Sequence, residues 1–353
     1  MAYTTINKST DYFETTTYTG GATDVSSLSF QPDFVWAKKR DGAENHGLFD
    51  AVRGATKTLS SNATSAESTR SGSLTSFDND GWSMGGSDGI ISASGSTYVG
   101  WAWKANGQGS SNTDGSINTT YTSANTTAGF SISKYTGTGA NATVGHGLGV
   151  APKMIIVKNL SSAYEWGVYH KSLGATQNIY LDSTGAAGST TFWNNTEPTS
   201  SVFSVGSTAY TNGSGQNYIA YCFAEKTGYS KFGSYTGIAN DDGAFVYTGF
   251  APKFIMVKAS TNTGTYSSWS MFDNTRSVNP NVGKTLYANK DYQEGNRGNG
   301  DSSTTSPVVD LLSNGFKFRK HADEVNNANT TYIYIAFAEA PLVGSNGVTA
   351  KAR

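Results

Sequence analysis

Two short stretches, Lys153 to Lys158 and Lys253 to Lys258, are almost continuously apolar, the pattern expected of a strand covered on both faces. Another kind alternates. In YIAYCFAE, Tyr218, Ala220, Cys222 and Ala224 fall on one side of an extended chain, and Ile219, Tyr221 and Phe223 on the other. Between such segments lie turns of Gly, Ser, Thr and Asn, and charged i,i+4 pairs of the kind that support helices are scarce. The pattern predicts an all-β protein of short strands.

Aligned by these segments, the chain repeats itself three times. A Pro-led strand occurs in FQPDFVWAK, GVAPKMIIVK and GFAPKFIMVK, which makes Pro32, Pro152 and Pro252 equivalent. An aromatic strand closes each unit: YVGWAWKA from Tyr98, YIAYCFAE from Tyr218 and YIYIAFAE from Tyr332. The interval from Pro to closing Tyr is 66 residues in the first two units and 80 in the third, so the third carries 14 more. Each unit opens with Tyr-Thr-Gly, at Tyr18, Tyr135 and Tyr235. Each has a middle signature, in GLFDAVRG, WGVYHKSLG and WSMFDNTRS. The expected organisation is three tandem β-sandwich domains, jelly-roll-like, over residues 1–105, 129–227 and 228–340. Residues 106–128 would be a polar linker or long loop, residues 289–306 an inserted loop, and residues 341–353 a tail.

Composition narrows the chemistry. The 25 basic and 26 acidic residues leave a net charge of −1, without the electrostatic footprint of a nucleic-acid binder. Seven Trp, 20 Tyr and 17 Phe are too many for a chain with no core. A single cysteine, Cys222, rules out an intrachain disulfide and sits among strand aromatics, as a core residue would. No secretory signal and no membrane-length apolar run is visible, so the expectation is assembly in a cytoplasm and release by lysis, with no membrane insertion.

The strings FQPDFVWAK, GLFDAVRGATKTLSSNATSAES, SLTSFDNDGW and YVGWAWKA, with HGLGVAPKMIIVK and YIAYCFAEKTGYSKFGSYTG in the second half, resemble a repeat found in structural proteins of marine tailed bacteriophages. The resemblance runs from about Tyr12 to Glu339. It implies a virion component of tail-fibre type and brings no catalytic residues. The partners it implies are other virion proteins of tail or capsid, and a host surface glycan or protein. Symmetric assembly is the default for such a protein, so a homo-oligomer is expected.

The residues themselves point away from catalysis and from any cofactor or metal. Asp78-Asn79-Asp80-Gly81 faintly resembles the start of a calcium loop but lacks its later ligands, and an Asx-rich turn explains it, as it does Asp241-Asp242-Gly243. No two of His46, His146, His170 and His321 have metal-ligand spacing. His170 stands where the other units carry Asp50 and Asp273, which argues against a shared catalytic role. The acids Glu165, Glu197, Asp182 and Glu294 form no evident pair, and Glu225 and Glu339 end closing strands where the first unit has Lys104. Of the aromatics, Trp101, Trp103, Tyr221 and Phe223 are assigned to the core. The loop groups Trp193, Asn194, Asn195 and Tyr292 are the candidate contacts for a glycan or receptor. The expected role is a non-enzymatic adhesin on a tail fibre or appendage, with a capsid-bound decoration as the alternative and a glycan depolymerase behind both.

Overall fold

In the computed structural model, which describes residues 4–262, 264, 267–277, 281–295 and 308–341, the chain is all-β. The alternating and continuous apolar segments are its strands. One four-strand order occurs three times, antiparallel throughout: opening, closing, Pro-led, middle. In the first unit these strands are Phe13–Thr19, Thr97–Trp103, Phe34–Lys39 and Gly47–Asp50. In the second they are Phe130–Thr136, Asn217–Phe223, Met154–Asn159 and Gly167–His170, and in the third Ser230–Thr236, Thr331–Pro341, Phe250–Ala259 and Ser270–Asp273. The register repeats as well. Trp103 pairs with Phe34, Phe223 with Met154 and Phe337 with Phe254.

Each main sheet is buried on both faces. On one face Val35, Ala37 and Ala102 of the first unit, Ile155, Val157 and Cys222 of the second, and Ile255, Val257 and Ala336 of the third face their own unit's outer strands. These three cores are sandwich-like. The other faces meet in one central core shared by all three units, which takes Phe34, Trp36, Trp101 and Trp103, then Met154, Ile156, Tyr221 and Phe223, then Phe254, Met256, Ile335 and Phe337. The equivalent residues Trp103, Phe223 and Phe337 touch one another pairwise, with ring centroids 6.3, 6.1 and 5.6 Å apart. An approximate threefold axis passes between them. Double-sided burial is why the Pro-led strands are continuously apolar. At ~1.5–3 kcal/mol for each large apolar side chain removed from water, the shared core is a major stabilising element. The units are therefore sides of one closed body rather than independent beads.

The polar segment 106–128 is not a free linker. Tyr121–Asn125 adds a strand to the second unit's sheet beside Phe130–Thr136, and Ile117 is buried in that unit's core, where its N–H donates to Thr143 O. The 14 extra residues of the third unit are also not gathered at 289–306, part of which lies outside the described residues. Trp166 N donates to Asp182 Oδ1 and Trp269 N to Asn289 Oδ1, which makes Trp166 and Trp269 equivalent, and Asp182 and Asn289. On that basis three extra residues fall before Trp269, four between Trp269 and Asn289, and seven after Asn289. Loops lengthen at small entropic cost, so an insertion need not stay in one place.

Candidate functional site

A set of buried polar side chains lies at the joints between units, and each joint is built alike. The residue before each middle strand reaches into the loop of the preceding unit. Trp166 Nε1 donates to Ser60 O and Ala63 O at 3.1 Å each, Trp269 Nε1 donates to Tyr180 O at 2.8 Å, and His46 Nε2 meets Tyr287 O at 2.9 Å. A backbone bond repeats beside it, Glu67 N to Leu160 O, Ala187 N to Ser260 O and Glu294 N to Arg40 O, at 3.2, 2.9 and 2.9 Å. The third bond of each set runs from the end of the chain back to its start, which closes the ring.

A buried node sits at each joint, at the position shared by Asp50, His170 and Asp273. Tyr221 OH donates to Asp50 Oδ2 at 2.7 Å, and Trp101 Nε1 donates to Asp273 Oδ2 at 3.1 Å. Position 335, equivalent to Tyr221 and Trp101, is Ile and has no donor. There the node is His170, whose Nε2 meets the backbone O of Tyr334 at 3.2 Å. Each Asp also binds a buried Arg. Asp50 pairs with Arg53, and Asp273 with Arg276 at 2.6 Å, while each Arg reaches an outer acid, Glu67 at 3.5 Å or Glu294 at 3.4 Å. Leu173 and Ala187 stand at the Arg and Glu positions of the second unit. Where the donor is missing, the acid, its Arg and the outer Glu have all been replaced by uncharged residues. The pattern matches the rule that a buried charge is tolerated only with its partners.

Burial sets the titration of these groups. It pulls His170 down to about 4 and His46 down to about 3. Both rings are held as Nε2–H tautomers by their partners, since His170 Nδ1 accepts from Ser172 N and His46 Nδ1 accepts from Trp36 Nε1. The equivalent lysines Lys38, Lys158 and Lys258 lie under the loops of the preceding unit, and burial lowers them to about 8, 8 and 7. Lys258 Nζ donates to Thr184 O, Gly185 O and Ala259 O, and Lys158 Nζ to Thr64 O and Tyr164 O.

Three of the acids weighed as catalysts, Asp182, Glu197 and Glu294, are occupied in the same way. Asp182 accepts from Trp166 N, and burial raises it to about 6. Glu197 accepts from Tyr169 OH at 2.5 Å, Lys171 Nζ at 3.0 Å and Ala175 N at 2.9 Å, and Glu294 holds Arg40 through two bonds. Asp78 accepts from the hydroxyls of Ser76 and Ser83 beside the two-residue turn Asn79-Asp80. Among the described residues no group of three or more His, Cys, Asp or Glu could hold a metal. Cys222 is fully buried, and burial pushes its thiol well above its ordinary value.

The four candidate contact residues do not form one site. Trp193 is 1% exposed and packs edge-on to Tyr169 at 5.9 Å in the second unit's core, so the structure makes it a core residue and not a surface contact. Asn194 and Asn195 have φ of 48° and 51°, and Thr196 N donates to Trp193 O across them. That geometry is a type I′ turn, which demands two positive φ values and favours Asn. Tyr292 lies under Lys290 Nζ at 5.9 Å, in the loop that returns to the first unit through Asp291 O and Glu44 N.

Sequence reasoning passed over the most exposed apolar group. Among the described residues the exposed large hydrophobics are Val150, Ile238, Phe245 and Tyr247, and the last three belong to the third unit at 52%, 46% and 55% exposure. Phe245 and Tyr247 point outward from the short strand Phe245–Tyr247, whose middle residue Val246 is buried. The sequence held no alternation to mark them, since Phe245, Val246 and Tyr247 are all apolar.

A family model described as Domain of unknown function (DUF7483) matches residues 8–341. No curated protein and no solved structure matches the chain.

Proposed function

Since the chain belongs to the DUF7483 family, whose description carries no activity, we propose from its own residues that it is a non-enzymatic structural protein of a tailed-bacteriophage virion, a tail fibre or appendage that contacts the host surface. The observation that carries the non-enzymatic part is the use of Asp50, Asp273, His46, His170, Lys158 and Lys258, all buried, as joints of a closed ring. Groups so fully engaged are placed for rigidity rather than for turnover. The phage assignment is supported by the motif strings, from FQPDFVWAK to YIAYCFAE. Host contact falls to the outer loops, with Asn194, Asn195 and Tyr292 as candidates, multiplied by copy number. Any homo-oligomer would form through outer surfaces, since the chain's own units cover the central face.

One observation favours the second reading, a capsid decoration. A body with three near-equivalent sides suits a threefold position on a shell. Mass spectrometry of purified particles tests the proposal, and particle reconstruction locates the protein at tail or capsid. Absence from purified particles would overturn the virion assignment. Shortening of host polysaccharide by the purified protein would overturn the non-enzymatic one.

A further inference from the structure

The strand Phe245–Tyr247 has a counterpart in each of the other units, and the three edges are finished differently. Val25, Val144 and Val246 are equivalent, because they pair with Trp82, Phe203 and Phe316. In the first unit the flanking residues are Asp24 and Ser26, polar and exposed. In the second unit they are Thr143 and Gly145, and the edge is covered. There Ile117 lies parallel to Val144, its N–H donates to Thr143 O, and Thr143 N donates to Ser116 Oγ. The third unit has Phe245 and Tyr247, apolar, half exposed and uncovered among the described residues.

The backbone of these two residues is also open. Thr248 N donates to Asn314 O, so Thr248 and Val246 face the neighbouring strand Gly315–Phe318, and the N–H and C=O groups of Phe245 and Tyr247 point the other way. Other edges of the molecule are blunted. Glu14 Oε1 accepts from Thr15 N on the first opening strand, and Glu225 Oε2 accepts from Phe232 N at the equivalent place on the third. Beside Phe245 the charges are already paired, Asp242 with Lys317 and Arg319, each at 2.7 Å. Phe245 itself crosses Gly315, where a Cβ would stand 3.0 Å from its ring. An apolar, uncapped edge is what proteins ordinarily avoid, so its presence here indicates a cover.

We infer that this edge is a strand-addition site for an extended, weakly charged segment of a partner polypeptide. The segment would lie parallel to Phe245–Tyr247, bond to the outward amides and carbonyls, and place a β-branched residue where Ile117 lies on the second unit. This inference stands apart from the virion assignment, because it rests on comparison of the three edges.

The test uses the full chain and a labelled, end-blocked peptide with the sequence of residues 110–119, the segment that covers the equivalent edge. Fluorescence anisotropy should show saturable binding. Phe245→Pro and Tyr247→Pro remove outward donors that the fold does not use, and should weaken binding at least tenfold with Tm unchanged. N-methylation of the peptide's isoleucine should have the same effect. No binding at millimolar peptide, or binding indifferent to both changes, would overturn the inference. So would capture of a bacterial polysaccharide that is lost in Phe245→Ala/Tyr247→Ala but kept in the proline variants, which would make the edge a saccharide platform. A tenfold gain in peptide affinity on deletion of residues 342–353 would assign the edge to the chain's own terminus and overturn the partner.

Discussion

Replacing Asp50 by Ala removes the acceptor for Tyr221 OH, Arg53 Nε and Arg53 N at one stroke. The Arg53 side chain is fully buried, and only Glu67, 3.5 Å away, remains to offset its charge. Breaking a buried pair from one side costs ~3–5 kcal/mol, a large part of the roughly 5–15 kcal/mol that holds a domain folded. The joint between the second and third units shows how the node can be built without charge. Asp50→His, Arg53→Leu, Glu67→Ala and Tyr221→Ile together reproduce its set, His170, Leu173, Ala187 and Ile335. The remaining cost is repacking, ~1–3 kcal/mol. Urea unfolding followed by tryptophan fluorescence should therefore place the midpoint of the fourfold variant above that of Asp50→Ala, with the same m-value. A fourfold variant no more stable than the single one would show that these residues do not act as an interchangeable set, and the account of the joints would fail.

Four further outcomes are expected. His170 takes up its proton near 6.5 when unfolded and near 4 when folded, so the unfolded state binds more protons in that window and stability falls as pH drops through it. The loss is ~3 kcal/mol from this residue, and His170→Asn should flatten the curve of unfolding free energy against pH between 6.5 and 4 by that amount; an unchanged curve would refute the assignment. Thr56 is β-branched at φ 66°, so Thr56→Gly should raise stability by ~1 kcal/mol in urea, and a loss would mean that its side chain matters more than its strain. Trp193→Ala should cost ~3–5 kcal/mol by calorimetry, and a surface-like cost below ~0.5 kcal/mol would return Trp193 to the contact set. Limited proteolysis should spare residues 106–128, which the second unit's sheet and core retain, and early cutting there would restore the free-linker picture.

Much of this fold is written in local patterns. Alternation in YIAYCFAE sorts its residues between two cores, and the doubly covered Pro-led strands are continuous apolar runs for the expected reason. The closing of the ring is less legible, because Trp101 or Tyr221 looks the same in sequence whether it packs within a unit or between two. A signal did exist: Asp, Arg and Glu at three aligned positions become His, Leu and Ala together, and the change tracks Ile at position 335. Trp193 was misjudged because two asparagines follow it. They serve the backbone of a tight turn, and the turn directs the indole inward. Phe245 and Tyr247 escaped notice because a three-residue strand carries too little periodicity to show which face is covered.

The return of Glu294 to Arg40 joins residues 254 positions apart. A ribosome adding about 5–20 residues per second would separate their appearance by on the order of ten to fifty seconds. Through that interval Phe34, and Trp101 and Trp103 once made, have no complete partner surface, since the rings that cover them include Tyr221, Phe254 and Phe337. The first third of this protein is thus made long before it can finish folding. Its production in a cell depends on keeping those aromatics from other chains until the last strand arrives.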